Sequence, residues 1–245
     1  MSSLIPYRLH NKNKEIVYVE GPNKILASKI RSHLQQEVKR LKFLYKEPSR
    51  SNVLDLMHRI RKETDILFDI PEMYHIYMAV KETKKISGDI AEVGVYKGGS
   101  ARIISHAKGD KTLHLFDTFE GLPAPSHEKD NYGKYPQGRF ISAYDEVKSS
   151  LSSYPHVYIY KGLFPETANP IRDKKFSFVH LDVDIYQSTI QCLEFFYPRM
   201  NPGGIIISHD YLTAKGVKMA FEEFFDKKPE PIIELSARQC LVVKV

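Results

Sequence analysis

From Gly88 onward, short apolar runs alternate with segments whose apolar residues recur at helical spacing. The runs predict strands and the spaced segments predict helices. Strands that alternate with helices are typical of βαβ units and a largely parallel sheet. The predicted strands are 90–95, 112–116, 157–160, 176–181, 205–208, 232–235 and 240–245, and the predicted helices are 100–108, 141–151, 165–171, 188–200 and 216–225. The last two strands are joined by a short turn near Ala237, which predicts an antiparallel pair.

The first 70 residues have a different pattern. A strand-like run at 16–19 precedes apolar residues at helical spacing over 23–46. Two more helices are predicted to begin near Ser51 and at Pro71. We therefore predict an N-terminal helical extension over residues 1–70 and a main domain over residues 71–245. The extension either mediates homo-oligomer formation or covers a substrate pocket.

Glycine-rich or acidic segments follow five of the predicted strands. These segments are residues 92–100, 115–117, 161–164, 181–184 and 208–211. The carboxyl ends of parallel strands meet at one rim of a sheet, which is where ligands bind in open α/β folds. The pattern therefore predicts an enzyme site at that rim.

The segment 92–100 follows a strand and opens a helix, as a nucleotide-type loop does. Its spacing differs from GxGxxG because Tyr96 occupies the place of the second glycine. Gly98 and Gly99 would let a ligand approach the backbone, and Ser100 could cap the helix. The N–H groups at the helix start would bind a phosphate or a carboxylate. A plain glycine turn is the alternative.

Asp117 ends the next strand, where an acid binds ribose hydroxyls. Glu92 precedes the glycine loop and could accept a hydrogen bond from an ammonium group. A ligand with an amino-acid end and a ribose satisfies these features, and S-adenosylmethionine (SAM) is such a ligand. Gly162 and Phe164 would supply an apolar wall for adenine, although a simple strand-to-helix turn explains them nearly as well. The predicted cofactor-binding residues are Glu92, Gly94, Tyr96, Gly98, Gly99, Ser100, Asp117, Thr118, Phe119, Gly162, Phe164 and Asp182.

Two further strand ends carry acidic side chains. Asp182 and Asp184 end one strand, and His209 and Asp210 end the next. Burying several carboxylates together is costly unless a cation balances them, and Mg²⁺ is the simplest candidate. A metal would lower the pKa of a substrate hydroxyl, and a nearby carboxylate could then remove its proton. The alternative is that Asp184 or Asp210 only caps the following helix.

The composition and charge of the chain bear on which partners it binds and where it is located. The chain has 245 residues and a formal charge of +6, but its basic clusters are interleaved with Glu37, Glu63 and Glu82. Such clusters are typical of solvated helix faces rather than a nucleic-acid surface. No run approaches the roughly 20 apolar residues of a membrane span, and the N-terminus lacks the apolar core of a signal peptide. Cys192 and Cys240 have no zinc or redox spacing. We therefore expect a cytoplasmic protein without membrane or nucleic-acid partners.

Together these segments resemble the TylF/MycF/NovP family of metal-dependent O-methyltransferases, which act on sugar hydroxyls of macrolides and aminocoumarins. The likeness spans roughly residues 70–227 and is carried by 88–100, 115–123, 161–167, 181–189 and 202–211. It implies a class I SAM-dependent methyltransferase (Rossmann-like) fold, with a mostly parallel seven-stranded sheet and an antiparallel last strand. It also implies that Asp182 and the pair before Tyr211 bind a metal, and that Asp184 is the general base. Residues 118–139, here named the lid loop, would cover the substrate.

One departure from the family bears on the chemistry. The family has two aspartates where this chain has His209 and Asp210. Three outcomes stay open: His209 binds a softer metal such as Mn²⁺, Mg²⁺ binds with fewer protein ligands, or no metal binds and His209 shares the role of base. The C-terminus also lacks the Trp-containing end of the family, and residues 1–70 show no clear match.

The predicted function is methyl transfer from SAM to a hydroxyl of a sugar-containing or other small-molecule natural product. Two alternatives remain. An RNA methyltransferase is suggested by the basic N-terminal helices, although the chain lacks an Asn-Pro-Pro-Tyr-type motif and a recognisable RNA-binding module. A SAM-binding module without catalysis is suggested by His209 in place of aspartate.

Overall fold

The computed structural model describes residues 48–131 and 133–245, the strands at 7–10 and 16–19, and residues 30, 31, 34 and 38. The chain divides into two compact units, Met1–Leu54 and Asp55–Val245. The first helix described in full, α1, runs across this division. Residues 55–70, predicted above to be part of the N-terminal extension, therefore belong to the larger unit.

The smaller unit contains a hairpin. Strands β1 (Tyr7–His10) and β2 (Ile16–Val19) pair antiparallel, and only β2 is predicted by the sequence. Ile30, Leu34 and Val38 are helical and exposed, four residues apart on one helix face. Most of the predicted helix over 23–46 lies outside the described residues, and self-association through it stays a prediction.

From Pro48 onward the described chain forms six α-helices and seven strands. The helices are α1 (Pro48–Glu63), α2 (Ile70–Glu82), α3 (Gly99–Ala107), α4 (Tyr144–Leu151), α5 (Tyr186–Phe196) and α6 (Lys215–Phe225). The strands are β3 (Asp89–Val93), β4 (Leu113–Asp117), β5 (Val157–Lys161), β6 (Phe176–Leu181), β7 (Met200–Ser208), β8 (Ile233–Glu234) and β9 (Cys240–Val243). Short 3₁₀ helices lie at Thr83–Lys85, Glu166–Ile171 and Tyr197–Arg199. No helix in the described residues is both long enough and apolar enough to span a bilayer.

The seven strands form one sheet in the order β5-β4-β3-β6-β7-β9-β8. Strands β3 to β7 are parallel, whereas β9 is antiparallel to both of its neighbours. The chain adds β4 and β5 on one side of β3, and then adds β6 and β7 on the other side. Because the crossovers between parallel strands are right-handed, the two directions place helices on opposite faces of the sheet. In agreement, α2 packs against α3, and α5 packs against α6. The reversal between β3 and β6 opens the crevice in which such sheets bind ligands.

The sheet confirms the predicted mostly parallel architecture with its antiparallel last strand. Every residue of β6 is buried, as expected of a central strand covered on both faces. Three predicted helices need correction. The helix predicted over 188–200 ends at Phe196 and continues as a 3₁₀ turn that contains Pro198, and the helix predicted from 141 begins at Tyr144. The segment predicted as a helix over 165–171 is a 3₁₀ helix, Glu166–Ile171, which contains Pro170.

Candidate active site

A cavity of about 420 Å³ opens at the carboxyl ends of β3 to β7. Most of the predicted site residues line it: Gly94, Tyr96, Gly99, Ser100, Asp117, Thr118, Gly162, Phe164, Asp182, Asp184, His209 and Asp210. Three predicted residues, Glu92, Gly98 and Phe119, do not line the cavity. The ring of Phe119 is buried and packs edge-on against Tyr144.

The glycines of the loop after β3 are required by protein packing. Gly94 has a φ of +87°, and a Cβ there would lie 1.9 Å from the carbonyl oxygen of Asp182. A Cβ on Gly99 would lie 2.7 Å from Ile66. Gly98, with a φ of +83°, is itself the N-cap residue of α3, so Ser100 lies inside the helix and does not cap it. The loop therefore has its shape before any ligand binds.

Glu92 belongs to β3 and does not lie on the cavity wall. Its Oε1 is 2.8 Å from Nδ1 of His180, which is its neighbour on β6, and both side chains are fully buried. Its Oε2 has no hydrogen-bond partner among the described residues. Burial raises the pKa of Glu92, and the interaction with His180 opposes that rise. Glu92 thus links β3 to β6 through His180 and does not line the cavity.

Asp117 clamps the same loop from the end of β4. Its Oδ2 accepts hydrogen bonds from the amides of Val95 and Tyr96 at 2.7 and 2.8 Å, and its Oδ1 accepts one from the amide of Phe119 at 2.7 Å. Burial raises the pKa of Asp117, and these three amides act in the opposite direction. Because a carboxylate offers about four acceptor positions, one position on Oδ1 remains for a ligand hydroxyl.

The four side chains predicted at the ends of β6 and β7 converge on the cavity. Nδ1 of His209 lies 3.1 Å from Oδ1 of Asp182 and 3.2 Å from Oδ2 of Asp210. Asp184 and Asp210 have left-handed φ angles of 60° and 55°. Such conformations are costly outside glycine and cluster at functional sites. Thr213 donates a hydrogen bond from its hydroxyl to Oδ1 of Asp210.

The protonation states in this cluster depend on one another. Burial, with the charges of Asp182 and Asp210, raises the pKa of Asp184 well above its usual range. Burial acts to lower the pKa of His209, but the surrounding carboxylates, Asp182 first among them, raise it well above its usual range. Although burial opposes it, the His209 ring holds the pKa of Asp210 below its usual range. The cluster therefore stabilises positive charge at its centre.

The donor atoms of this cluster fit a divalent metal. Asp182, His209 and Asp210 offer one ligand atom each, all within 4.8 Å of one another. In an octahedral site with bonds of about 2.1 Å, adjacent donors lie about 3.0 Å apart. The separations of 3.1 and 3.2 Å around Nδ1 are close to that value. One imidazole with two carboxylates suits Mn²⁺, Fe²⁺ or Zn²⁺ better than it suits Mg²⁺.

Three residues that enclose His209 carry no functional signal in the sequence. The ring of Phe68 stacks on His209 at 4.2 Å, and Oε1 of Glu72 lies 3.4 Å from its Nε2. Arg238 contacts both oxygens of Glu72. Asp69 and Glu72 form a capping box with a recognisable spacing, but that motif indicates a helix start and not a site.

The lid loop is fastened to the starts of α5 and α6. Asp130 accepts hydrogen bonds from the amides of Tyr186 and Ser126 at 2.8 and 2.7 Å. The ammonium group of Lys134 donates to the carbonyl of Thr213 at 2.7 Å. The lid-loop residues that line the cavity are Thr118, Gly121, Leu122, Pro123, Lys134, Tyr135 and Arg139. Burial and the nearby Asp210 raise the pKa of Tyr135 to about 12.

The sequence of the larger unit is similar to those of known O-methyltransferases. A family model described as Macrocin-O-methyltransferase (TylF) matches residues 71–238. The chain is 31% identical over 140 residues to the 8-demethyl-8-(2,3-dimethoxy-alpha-L-rhamnosyl)-tetracenomycin-C 4'-O-methyltransferase of Streptomyces olivaceus, which covers 51% of this chain and 54% of that protein. It is 26% identical over 176 residues to the demethyldecarbamoylnovobiocin O-methyltransferase of Streptomyces niveus, which covers 64% of this chain and 66% of that protein. The chain therefore spans between about half and two thirds of the length of these relatives.

Solved structures show the same fold. The O-methyltransferase NovP superposes with a TM-score of 0.64 and 22% identity, covering 74% of this chain and 82% of NovP. The calicheamicin methyltransferase CalS11 superposes with a TM-score of 0.61 and 16% identity, covering 82% of this chain and 94% of CalS11. At these identities the likeness concerns the fold alone, and it confirms the predicted class I methyltransferase fold.

Proposed function

The chain belongs to the TylF family of macrocin O-methyltransferases, and from this membership we propose that it transfers a methyl group from SAM to a hydroxyl of a sugar-containing small molecule. One observation carries the proposal: Asp182, Asp184 and Asp210 line the same cavity as the glycine loop at Gly94. The rhamnosyl group in the name of the Streptomyces olivaceus relative supports a glycosylated acceptor.

The residues at the ends of β4, β5 and β6 fit the parts of SAM. The remaining acceptor position on Asp117 suits a ribose hydroxyl, and Leu163 and Phe164 offer apolar surface to a base. Asp182, which is partly exposed to the cavity, suits an ammonium group better than the buried Glu92 does. When bound, SAM supplies a methyl group on a sulfonium.

Asp184 is our candidate for the general base. Its side chain lines the cavity beside the three donor atoms of Asp182, His209 and Asp210, and it is not one of them. Its raised pKa makes its ionised form a stronger base toward the acceptor hydroxyl. A metal held by those three residues would lower the pKa of the acceptor hydroxyl.

The lid loop would orient the acceptor and exclude water from it. Its contacts to Tyr186 and Thr213 set it across the carboxylate cluster. We propose that it opens and closes with acceptor binding, as loops over active sites do.

If the lid loop closes, amide hydrogen exchange in residues 118–139 should slow when acceptor is added to the SAM complex. Equal exchange in both states would contradict closure.

Calorimetry and a transfer assay test the proposal. The folded protein should bind SAM, and labelled methyl groups should pass to at least one glycosylated alcohol in a panel. Absence of SAM binding would end the proposal.

We expect Asp117→Ala to weaken SAM binding by at least tenfold, because it removes both the ribose acceptor and the clamp on the loop. Exposed Asp145 in α4 provides the control, since Asp145→Ala should leave the affinity unchanged.

A SAM-binding module without catalysis is the second candidate. The observation that favours it is the imidazole of His209, which occupies a position that the family gives to an aspartate. This candidate predicts SAM binding without transfer to any acceptor, at any divalent metal concentration.

A further inference from the structure

The ring of His209 lies between two sets of carboxylates. On one side, Nδ1 faces Asp182 and Asp210 at 3.1 and 3.2 Å. On the other side, Nε2 lies 3.4 Å from Oε1 of Glu72, and it makes no hydrogen bond among the described residues. Phe68 stacks on the ring and fixes its plane. The two nitrogens of one imidazole therefore face different partners.

Glu72 is held rigidly in place. Arg238 donates from Nε to Oε1 and from Nη2 to Oε2, both at 2.9 Å. The amide of Asp69 donates to Oε2 at 2.8 Å, and the Glu72 side chain is fully buried. Glu72 is thus a fixed hydrogen-bond acceptor, paired with Arg238, beside Nε2 of His209.

A histidine that binds metal through one nitrogen commonly donates its other N–H to a carboxylate, which fixes the tautomer and the ring orientation. We propose that Glu72, itself held by Arg238, is the positioning residue that keeps the proton of His209 on Nε2 and presents Nδ1 to a metal ion between Asp182 and Asp210. This inference rests on the metal site in the proposed function and is independent of the acceptor.

A carboxylate at Glu72 favours metal binding only when residue 209 is a histidine. An aspartate there would place a second buried carboxylate near Glu72, and like charges at short range are costly out of water. Glu72 and His209 therefore form a coupled pair. Removing the charge of Glu72 should weaken metal binding when residue 209 is histidine, and should not do so when residue 209 is aspartate.

Calorimetric titration with Mn²⁺ and with Mg²⁺ tests the pair. In the natural chain, Glu72→Gln should weaken Mn²⁺ binding by about 10- to 100-fold, the usual loss when a carboxylate that orients a ligand is removed. The matched control is Glu230→Gln. Glu230 is also a buried glutamate with a cationic partner, Lys244 at 2.6 Å, but no contact joins it to His209. Its Mn²⁺ affinity should stay within about threefold of the natural chain.

The same titrations in a His209→Asp background complete the cycle. There Glu72→Gln should leave metal affinity unchanged or improve it, and SAM affinity should be similar in all variants. If Glu72→Gln does not fold, as circular dichroism would reveal, Glu72→Asp is used instead, because the shorter chain withdraws the carboxylate and should give a smaller loss in the same direction.

The outcomes distinguish failure of the metal site from failure of the positioning role of Glu72. A natural chain that binds neither metal overturns the metal site and this inference together, while SAM binding and methyl transfer would still stand. A natural chain that binds Mn²⁺ with equal affinity before and after substitution of Glu72 overturns the positioning role alone. Equal losses in the histidine and aspartate backgrounds also overturn it, because a merely structural role of Glu72 would produce that result.

Discussion

Replacing Asp184 with asparagine is expected to lower the rate of methyl transfer by about 10²- to 10⁴-fold, the range that a positioned general base contributes. Asparagine keeps the size of the side chain, but its amide cannot take a proton from the acceptor hydroxyl. SAM affinity should change little, because the substitution leaves Asp182, Asp117 and the glycine loop in place. A loss of rate without a loss of binding would identify Asp184 as a group that acts in the transition state.

Single-turnover transfer of a labelled methyl group measures this effect. The control is Asp226→Asn, at an exposed carboxylate that follows α6, and it should keep the full rate. Unchanged transfer in Asp184→Asn would contradict the assignment. A second variant, His209→Asn, then tests the histidine, because transfer that persists in it would exclude His209 as the base.

The fold follows from local features of the chain. Each strand from β3 to β7 is rich in apolar residues, and turn residues or charged residues mark its end. The bounds of these strands therefore lie within a few residues of prediction for all but the extended start of β7. Because parallel strands end at one rim, the convergence of Asp182 with Asp210 also follows from the order of the elements. Those two steps need no knowledge of side-chain geometry.

The remaining parts of the site depend on tertiary contacts. Glu72 and Arg238 are 166 residues apart, and Asp130 and Tyr186 are 56 residues apart. Polar residues at such separations have no common spacing that a sequence pattern could reveal. Glu92 illustrates another limit, because its orientation toward His180 requires the register of β3 against β6. Register is fixed by the packed sheet and not by the run of either strand.

Gly94→Ala should be the most damaging single-methyl change in the site. At a φ of +87°, its new Cβ would lie 1.9 Å from the backbone oxygen of Asp182, so the ends of β3 and β6 must separate. The strained dihedral angle and the overpacked methyl should together lower the free energy of unfolding by about 2–6 kcal/mol. The displacement of Asp182 should also abolish measurable metal and SAM binding in the fraction that still folds.

A control variant separates the cost of the left-handed backbone from the cost of the steric clash with Asp182. Gly138 in the lid loop has a φ of +78°, but a Cβ there would meet no atom within 4 Å. Gly138→Ala therefore has only the cost of a left-handed alanine, about 1–2 kcal/mol, and should bind SAM normally. Thermal unfolding with SAM calorimetry compares the two variants. If the two variants had similar free energies of unfolding, β6 would accommodate the new methyl group at little cost. The short distance between Asp182 and the glycine loop would then not explain why position 94 is glycine.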